Sequence, residues 1–211
     1  MWLSDAYLRA GNYLRKHGLK KTASRFLTQV KRQILVNREV VFWLDLSTWS
    51  PEARSADGYS VVSIERTADI PEAFRALLAQ EYPAELQERD NRRRLGEGAT
   101  LWCLRRSTEF IGFTWTVPGK TLKPYYFPLT PRDVHIIANF IFPAYRGQRL
   151  NSVLMQHVLH ALKTAGAQRA YIETAEWNEA ELRSLDRSGF IRLGRGSRRA
   201  RQGRTVVTWW S

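Results

Sequence analysis

The sequence predicts an α/β fold in which helices pack on a mixed, largely antiparallel central sheet. After residue 59, short apolar runs bounded by turn residues alternate with segments whose apolar residues recur at helical spacing. Residues 101–104 and 110–117 form two apolar runs separated by a few polar residues, which predicts an antiparallel hairpin. The 211 residues, 44% of them hydrophobic, suffice for one sizeable core with a small appendage. We therefore expect a basic helical extension with one strand over residues 1–58 and a larger domain over residues 59–211.

The N-terminal segment carries the pattern of two basic helices followed by a strand. The first helix begins near Ser4, a good capping residue, and the second contains Phe26, Val30 and Ile34 at a spacing of four, which places them on one face. A buried strand is predicted over residues 40–44, and a polar, turn-prone linker over residues 47–58.

The larger domain is predicted to alternate strands and helices. Further strands are expected over residues 61–64, 134–142 and 170–174, helices over 70–78, 150–165 and 179–187, and two strands close the chain. Residues 92–98 are expected to form an exposed loop, and residues 118–131 a proline-rich, aromatic loop. Residues 192–204 form an arginine-rich hairpin, for which a solvated turn is the alternative interpretation.

The composition of the chain indicates which binding partners and which cellular compartment to expect. The formal charge of +13 and the pI near 10.4 predict attraction to polyanions such as nucleotide phosphates, nucleic acid, anionic lipid head groups or an acidic carrier protein. Cys103 is the only cysteine and lies in an apolar run, so we expect a buried structural thiol and no internal disulfide. No membrane-spanning run or signal peptide is recognisable, which predicts a cytoplasmic protein, with peripheral membrane association as an option.

The most informative segment is a strand that runs through a tight turn into an amphipathic helix. This order of elements directs unpaired backbone N–H groups and the positive helix end at one point, which suits a diphosphate. Four leucine and valine residues at a spacing of four anchor the helix behind that end. The predicted cofactor-binding residues of this segment are Phe140, Ile141, Phe142, Tyr145, Arg146, Gly147, Gln148, Arg149, Leu150 and Asn151.

This segment resembles the acetyl-CoA-binding motif of the GNAT acyltransferase superfamily. Arg146 and Gly147 match the motif's opening, whereas Arg149 and Asn151 stand where the family has small residues. Downstream, Asn178 lies eleven residues before Gly189-Phe190, as in the family's second signature. Ser184 and Arg187 also correspond to positions of the branch that acetylates ribosomal proteins and small molecules.

The resemblance covers residues 61–210 and has functional implications. It implies a GNAT fold, acetyl-CoA or a longer acyl-CoA as cofactor, and transfer of the acyl group to a primary amine. In the family, the equivalent of Asn178 binds the pantetheine arm of the cofactor. Leu185 occupies the position at which many members carry a tyrosine general acid, so that role is vacant or has moved in this chain.

Two residues are candidates for the base that deprotonates the amine. Glu173 matches the base of the ribosomal-protein alanine acetyltransferases, and burial is expected to tune its pKa upward. His135 matches the position of a catalytic glutamate in histone-acetylating members, and on an ideal strand it shares a face with Asn139, a candidate substrate ligand. The alternative is that both are ordinary strand-end residues.

Three aromatic residues are candidates to line a substrate groove. The alternative is that they pack in the core. The candidates are Trp115, Tyr126 and Trp177. His157 and His160 lie three apart on one helix without further ligands nearby, so no metal site is predicted.

The acceptor is expected to be an amine on a small molecule, a sugar or a peptide. The basic segments favour an anionic or surface-linked acceptor. An acyl-carrier protein as donor, and a non-catalytic protein that binds nucleic acid or membrane, are the alternatives. Nucleic acid is not favoured, because the sequence has no recognisable recognition helix.

Overall fold

The computed structural model describes residues 38–50, 58–120, 124–201 and 204–211. The described residues belong to two compact units, one with residues 66–96 and the other with residues 38–65 and 97–211. The helices predicted over the first 35 residues, and residues 51–57 of the predicted linker, lie outside the described residues.

The larger unit is built on one eight-stranded sheet with the strand order β2-β3-β4-β5-β6-β1-β7-β8. Neighbouring strands are antiparallel except β5 and β6, which are parallel. This confirms the predicted mixed, largely antiparallel sheet. The strands are β1 (Glu39–Asp45), β2 (Tyr59–Ile64), β3 (Thr100–Arg106), β4 (Glu109–Pro118), β5 (Asp133–Ile141), β6 (Arg169–Ala175), β7 (Ile191–Arg201) and β8 (Arg204–Trp210).

Strand β1 lies inside the sheet, between β6 and β7, although the sequence analysis placed it in the N-terminal segment. Val41 and Phe42 of this strand are fully buried. The boundary drawn near residue 58 therefore passes through the sheet and does not separate two independent cores.

Among the described residues, the α-helices of the larger unit are α3 (Leu150–Thr164) and α4 (Glu179–Arg187), and those of the smaller unit are α1 (Glu72–Glu81) and α2 (Ala84–Gly96). On α3, Leu150, Leu154, Val158 and Leu162 are all buried in the main core, as their spacing predicts. Each such side chain stabilises the fold by about 1.5–3 kcal/mol relative to exposure. The helix that follows the predicted diphosphate-binding turn is therefore anchored along its length.

The smaller unit corrects one prediction, because residues 92–96 are helical and not part of a loop. Helix α2 buries Leu86 and Leu95 and carries the pair Glu88–Arg92 at helical spacing. Arg75 of α1 holds the unit together, since its guanidinium donates to Glu88 at 2.5 Å and to the carbonyl of Thr67 at 2.6 Å. The arginine run suggested exposure, and in the helix Arg92 and Arg93 are exposed whereas Arg94 is partly buried.

The arginine-rich segment forms a hairpin, as predicted, but most of its arginines lie in strand β7 and not in a solvated turn. Arg192 pairs with Asp186, Arg195 pairs with Glu176, and Arg198 turns into the interior. Each of these three arginines therefore has an acidic partner, and β7 pairs with β1 and β8 on its two sides. Cys103 is fully buried, as expected, and burial raises the pKa of its thiol. Within the described ranges, no helix combines the length and apolarity needed to cross a bilayer.

Candidate active site

The site begins where strands β5 and β6 separate. Their parallel ladder runs from Asp133–Arg169 to Ile136–Ile172 and then ends, although β5 continues to Ile141. Among the described residues, no strand pairs with the remainder of β5 on the β6 side. The separation therefore leaves a strand edge whose N–H and C=O groups are available to an extended ligand.

A bulge marks this free stretch of β5. On the other side, the register with β4 shifts between Phe113–Phe140 and Trp115–Ile137, so two residues of β5 have no opposite partner. Ala138 adopts a left-handed backbone with φ 55° there, which is strained for a residue other than glycine. The bulge breaks the period-two alternation on which the predicted shared face of His135 and Asn139 rests.

The free edge leads to the N-terminal end of α3. Gly147 (φ 81°) and Arg149 (φ 59°) both take left-handed conformations in the connecting turn. The first described hydrogen bond of the helix start runs from the Ser152 N–H to the Arg149 carbonyl. Within the described residues, no acceptor partners the N–H groups of residues 147–151, so these donors and the positive helix end face one exposed point.

The side chains of the predicted cofactor segment divide into two groups. Phe142 and Leu150 are buried, and Tyr145 packs against the core, so these residues shape the turn from behind. Arg146, Gly147, Gln148 and Arg149 are exposed. Arg146 is oriented by a 3.0 Å hydrogen bond from Nε to the Ile141 carbonyl and by stacking on the Phe140 ring at 5.2 Å.

Helix α4 forms the wall of the candidate site that lies opposite β5. Asn178 immediately precedes α4, and its Nδ2 donates to Thr174 Oγ1 at 3.2 Å. Asn151 Nδ2 donates to Ser184 Oγ at 3.3 Å, which ties the start of α3 to α4. Arg187 is exposed in the last turn of α4. The sequence-predicted residues from both signatures therefore belong to one connected region.

The two predicted base candidates are joined in a buried charge network. His135 Nε2 and Glu173 Oε2 are 2.6 Å apart, and both side chains are less than 10% exposed. Arg198 Nη2 donates to Glu173 Oε1 at 2.6 Å and to Glu39 Oε2 at 3.0 Å. The Tyr126 hydroxyl hydrogen-bonds to Glu39 at the far end of the network. Both carboxylate oxygens of Glu173 are therefore occupied by cationic or N–H partners.

The network corrects the expected tuning of Glu173. Burial alone raises the pKa of this carboxyl, but the adjacent His135 and Arg198 outweigh burial and lower the pKa below its ordinary value. Glu173 is therefore held ionised, which makes it a weaker proton acceptor than the sequence analysis expected.

The three aromatic residues predicted to contact the substrate differ in their exposure. Trp115 is 2% exposed, so it packs in the interior and cannot stack on a ligand in this structure. Tyr126 is also buried, and a Cβ added at Gly196 would approach its ring to 2.3 Å, so the two residues pack tightly. Trp177 is 46% exposed beside Asn178 and is the one of the three that a substrate can reach.

The sequence analysis missed Glu181, which lies in the first turn of α4. Asn139 Nδ2 donates to Glu181 Oε1 at 3.3 Å, across the gap between β5 and α4. Burial raises the pKa of Glu181, with the hydrogen bond from Asn139 acting in the opposite direction. The available signal was its position three residues after Asn178, on the same face of the helix. His157 and His160 are exposed, and the described residues contain no cluster suited to a metal ion.

Comparison with known proteins identifies the family. The model described as the acetyltransferase (GNAT) family matches residues 67–190, more than half of the chain. The protein therefore belongs to the GNAT acetyltransferase family, whose chemistry is acyl transfer. Among curated proteins, none matches the sequence significantly.

Solved structures show the same fold at low sequence identity. A tandem GNAT protein from the clavulanic acid pathway superposes with a TM-score of 0.55 at 18% identity, over 76% of this chain and 52% of that one. The glucosamine N-acetyltransferase region of a fungal multi-domain β-N-acetylglucosaminidase has a TM-score of 0.57 at 14% identity, over 83% of this chain and 22% of that one. An N-acetyltransferase from Sphaerobacter thermophilus has a TM-score of 0.52 at 17% identity, over 83% of this chain and 54% of that one. The chain thus spans about half the length of the first of these relatives.

Proposed function

We propose that this protein transfers an acyl group from acetyl-CoA or a longer acyl-CoA to a primary amine. The observation that carries the proposal is the continuous path from the free edge of β5 to the unpaired N–H groups at the start of α3. An acyl-CoA has the matching chemistry, since an amide-containing arm connects its thioester to a diphosphate. Each feature alone fits several ligands, and their order along the chain supports an acyl-CoA.

Each end of the ligand has named partners in this proposal. The diphosphate binds the N–H groups of residues 147–151, with the exposed Arg146 and Arg149 nearby. The amides of the arm pair with the free edge of β5, and Asn178 contributes its side-chain amide from the opposite wall. The thioester then reaches the part of β5 near the bulge at Ala138.

The acceptor is proposed to be an amine whose nitrogen attacks the thioester carbonyl. Trp177, exposed beside the opposite wall, can stack on a sugar ring or an apolar part of the acceptor. The fungal relative acts on glucosamine by its name, which makes amino sugars a first choice for testing. The net charge of +13 favours anionic or surface-linked amines of this class.

The proposal is tested by calorimetry followed by a thiol-release assay. The protein is titrated with acetyl-CoA, a longer acyl-CoA and an acyl-carrier protein, and turnover is then followed with a chromogenic disulfide in the presence of amino sugars, peptides and polyamines. The only cysteine is fully buried, so the folded protein contributes little background signal. We expect micromolar binding of an acyl-CoA and amine-dependent release of thiol. Absence of binding to every donor would contradict the proposal.

A further inference from the structure

Asn139 and Glu181 form a polar bridge across the gap between β5 and α4. The two residues are 42 positions apart in the sequence, and Asn139 Nδ2 lies 3.3 Å from Glu181 Oε1. Both are partly buried, and within the described residues the Asn139 Oδ1 atom is buried without a hydrogen-bond partner. A buried acceptor of this kind is unfavourable unless a ligand supplies a donor. The bridge therefore has an open acceptor position.

The bulge explains why Asn139 points to this position. Ala138 is held in a left-handed conformation immediately before Asn139, and the β4–β5 register shifts at the same place. Bulges next to active sites redirect a side chain out of the regular alternation. Here the redirected side chain reaches α4.

The position coincides with the thioester end of the proposed cofactor path, so the inference rests on the proposed function. From Ile141, next to the diphosphate turn, to Ile137, where β5 leaves β6, the strand extends about 13 Å at about 3.3 Å per residue. This length is comparable to that of an extended pantetheine arm. The sulfur and the acyl carbonyl are then expected near residues 137–139, opposite Glu181.

Glu181 differs from Glu173 in the properties that a base needs. Both oxygens of Glu173 are taken up by His135 and Arg198, which keep its pKa low. In Glu181, Oε1 accepts the Asn139 hydrogen bond, and burial raises the pKa toward the range useful at neutral pH. His135 itself is 3% exposed, and Tyr125 lies against its ring at 4.9 Å. The sequence-predicted pair is thus enclosed, whereas Glu181 lines the gap.

We infer that Glu181 is the proton acceptor for the amine substrate and that the side-chain oxygen of Asn139 orients the same nitrogen. Two acceptors on one nitrogen require at least two N–H groups, which the ammonium form of a primary amine provides. His135 and Glu173 are then part of the network that fixes strands β5, β6 and β7 beside the site.

The proton balance of the step is as follows. The ammonium form of the substrate gives one proton to the Glu181 carboxylate, which later releases it to water. The neutral nitrogen attacks the thioester carbonyl carbon, a C–N bond forms, and the C–S bond breaks. The second proton leaves the nitrogen of the tetrahedral adduct and neutralises the departing thiolate. The products are the amide, the CoA thiol and one proton in solution.

The test compares Glu181→Gln with Glu179→Gln, a variant of an exposed residue on the same turn of α4 that pairs only with Arg183 among the described residues. Glutamine preserves the size of Glu181 and can still accept the Asn139 hydrogen bond, and thermal unfolding verifies that the variant is folded. We expect Glu181→Gln to lower kcat by about 10²–10³-fold at neutral pH with the Kd for acyl-CoA unchanged. The acidic limb that the carboxylate sets in the pH–rate profile should disappear and be replaced by a rise up to the pKa of the amine, above which the deficit should shrink. Glu179→Gln should match the wild type.

A second pair of variants distinguishes Glu181 from His135 as the base. Asn139→Ala should raise KM for the amine more than it lowers kcat, and His135→Gln should retain the acidic limb. Loss of that limb in His135→Gln but not in Glu181→Gln would overturn the assignment while leaving the proposed function intact. Absence of acyl-CoA binding by the wild type would instead contradict the proposed function, and the assignment with it.

Discussion

Replacement of Arg198 by methionine is the sharpest test of the buried charge network. The variant retains a long side chain but leaves the Glu173 and Glu39 carboxylates without their shared cation. The side chains of Arg198, Glu173 and Glu39 are 15%, 9% and 30% exposed. Removing one partner of a buried ion pair costs about 3–5 kcal/mol. Because Glu39 remains partly exposed to solvent, we expect the lower value, about 3 kcal/mol. This cost corresponds to a decrease in Tm of roughly 6–12 °C.

The pH dependence of this cost follows from the pKa of Glu173. The folded-state pKa lies below the ordinary value of 4.5, so the network stabilises the protein above that pH and loses this effect as the pH falls through the folded-state pKa. In Arg198→Met, His135 alone opposes the effect of burial, so the pKa of Glu173 rises relative to the wild type, and protonation of Glu173 then reduces the destabilisation. The difference in unfolding free energy between wild type and variant should therefore decrease from pH 7 toward pH 4.5.

Urea unfolding at a series of pH values, followed by tryptophan fluorescence, measures both effects. The matched control is Arg195→Met on the same strand, where a 60% exposed arginine pairs with Glu176 at 2.9 Å. Such a surface pair contributes at most about 1 kcal/mol. Equal destabilisation by the two variants, or a cost of Arg198→Met that does not change with pH, would show that the network is not held by ionised Glu173.

Five further variants, two of them controls, test the proposed cofactor path. Gly147→Ala and Gly166→Ala both force alanine into a left-handed conformation without any steric clash, so each should destabilise the fold by about 1 kcal/mol, but only Gly147→Ala should weaken acyl-CoA binding in calorimetry. Asn178→Ala should weaken the same binding by about tenfold, the value of roughly one lost hydrogen bond, whereas Thr174→Val, which removes only the neighbouring hydroxyl, should change it by less. Gly112→Ala places a Cβ within 2.6 Å of β5, so we expect about 1–3 kcal/mol of destabilisation in chemical unfolding together with weaker acyl-CoA binding.

Local patterns in the sequence predicted the elements that carry the cofactor path. The leucine and valine spacing on α3 follows from helical geometry alone, and Leu154 and Val158 are indeed fully buried. The eleven-residue interval between Asn178 and Gly189 likewise reflects one short helix with a glycine stop, and Gly189 has φ 82°. Features of this kind depend on neighbours within a few turns, so the sequence contains the information directly.

Features that depend on distant partners could not be predicted in the same way. Arg198 and Glu39 are 159 residues apart and meet only because β1 is inserted beside β7. The bulge at Ala138 has no sequence signal, since alanine is not a residue that favours a left-handed backbone. The proposed assignment of Glu181 as the base depends on both features, and the sequence alone therefore pointed to Glu173 and His135 without indicating Glu181.

Arg149 shows how a departure from the family pattern is accommodated. Its backbone takes φ 59° and ψ 19°, the conformation that glycine adopts without strain, and for arginine this costs roughly 1–2 kcal/mol. The strained residue adds a positive side chain at the positive end of α3, close to the exposed Arg146. In the free protein these like charges are unfavourable, and the diphosphate of the proposed cofactor would neutralise them. The turn is therefore least stable when empty, and ligand binding should raise the stability of this region more than contacts with a glycine-based turn would.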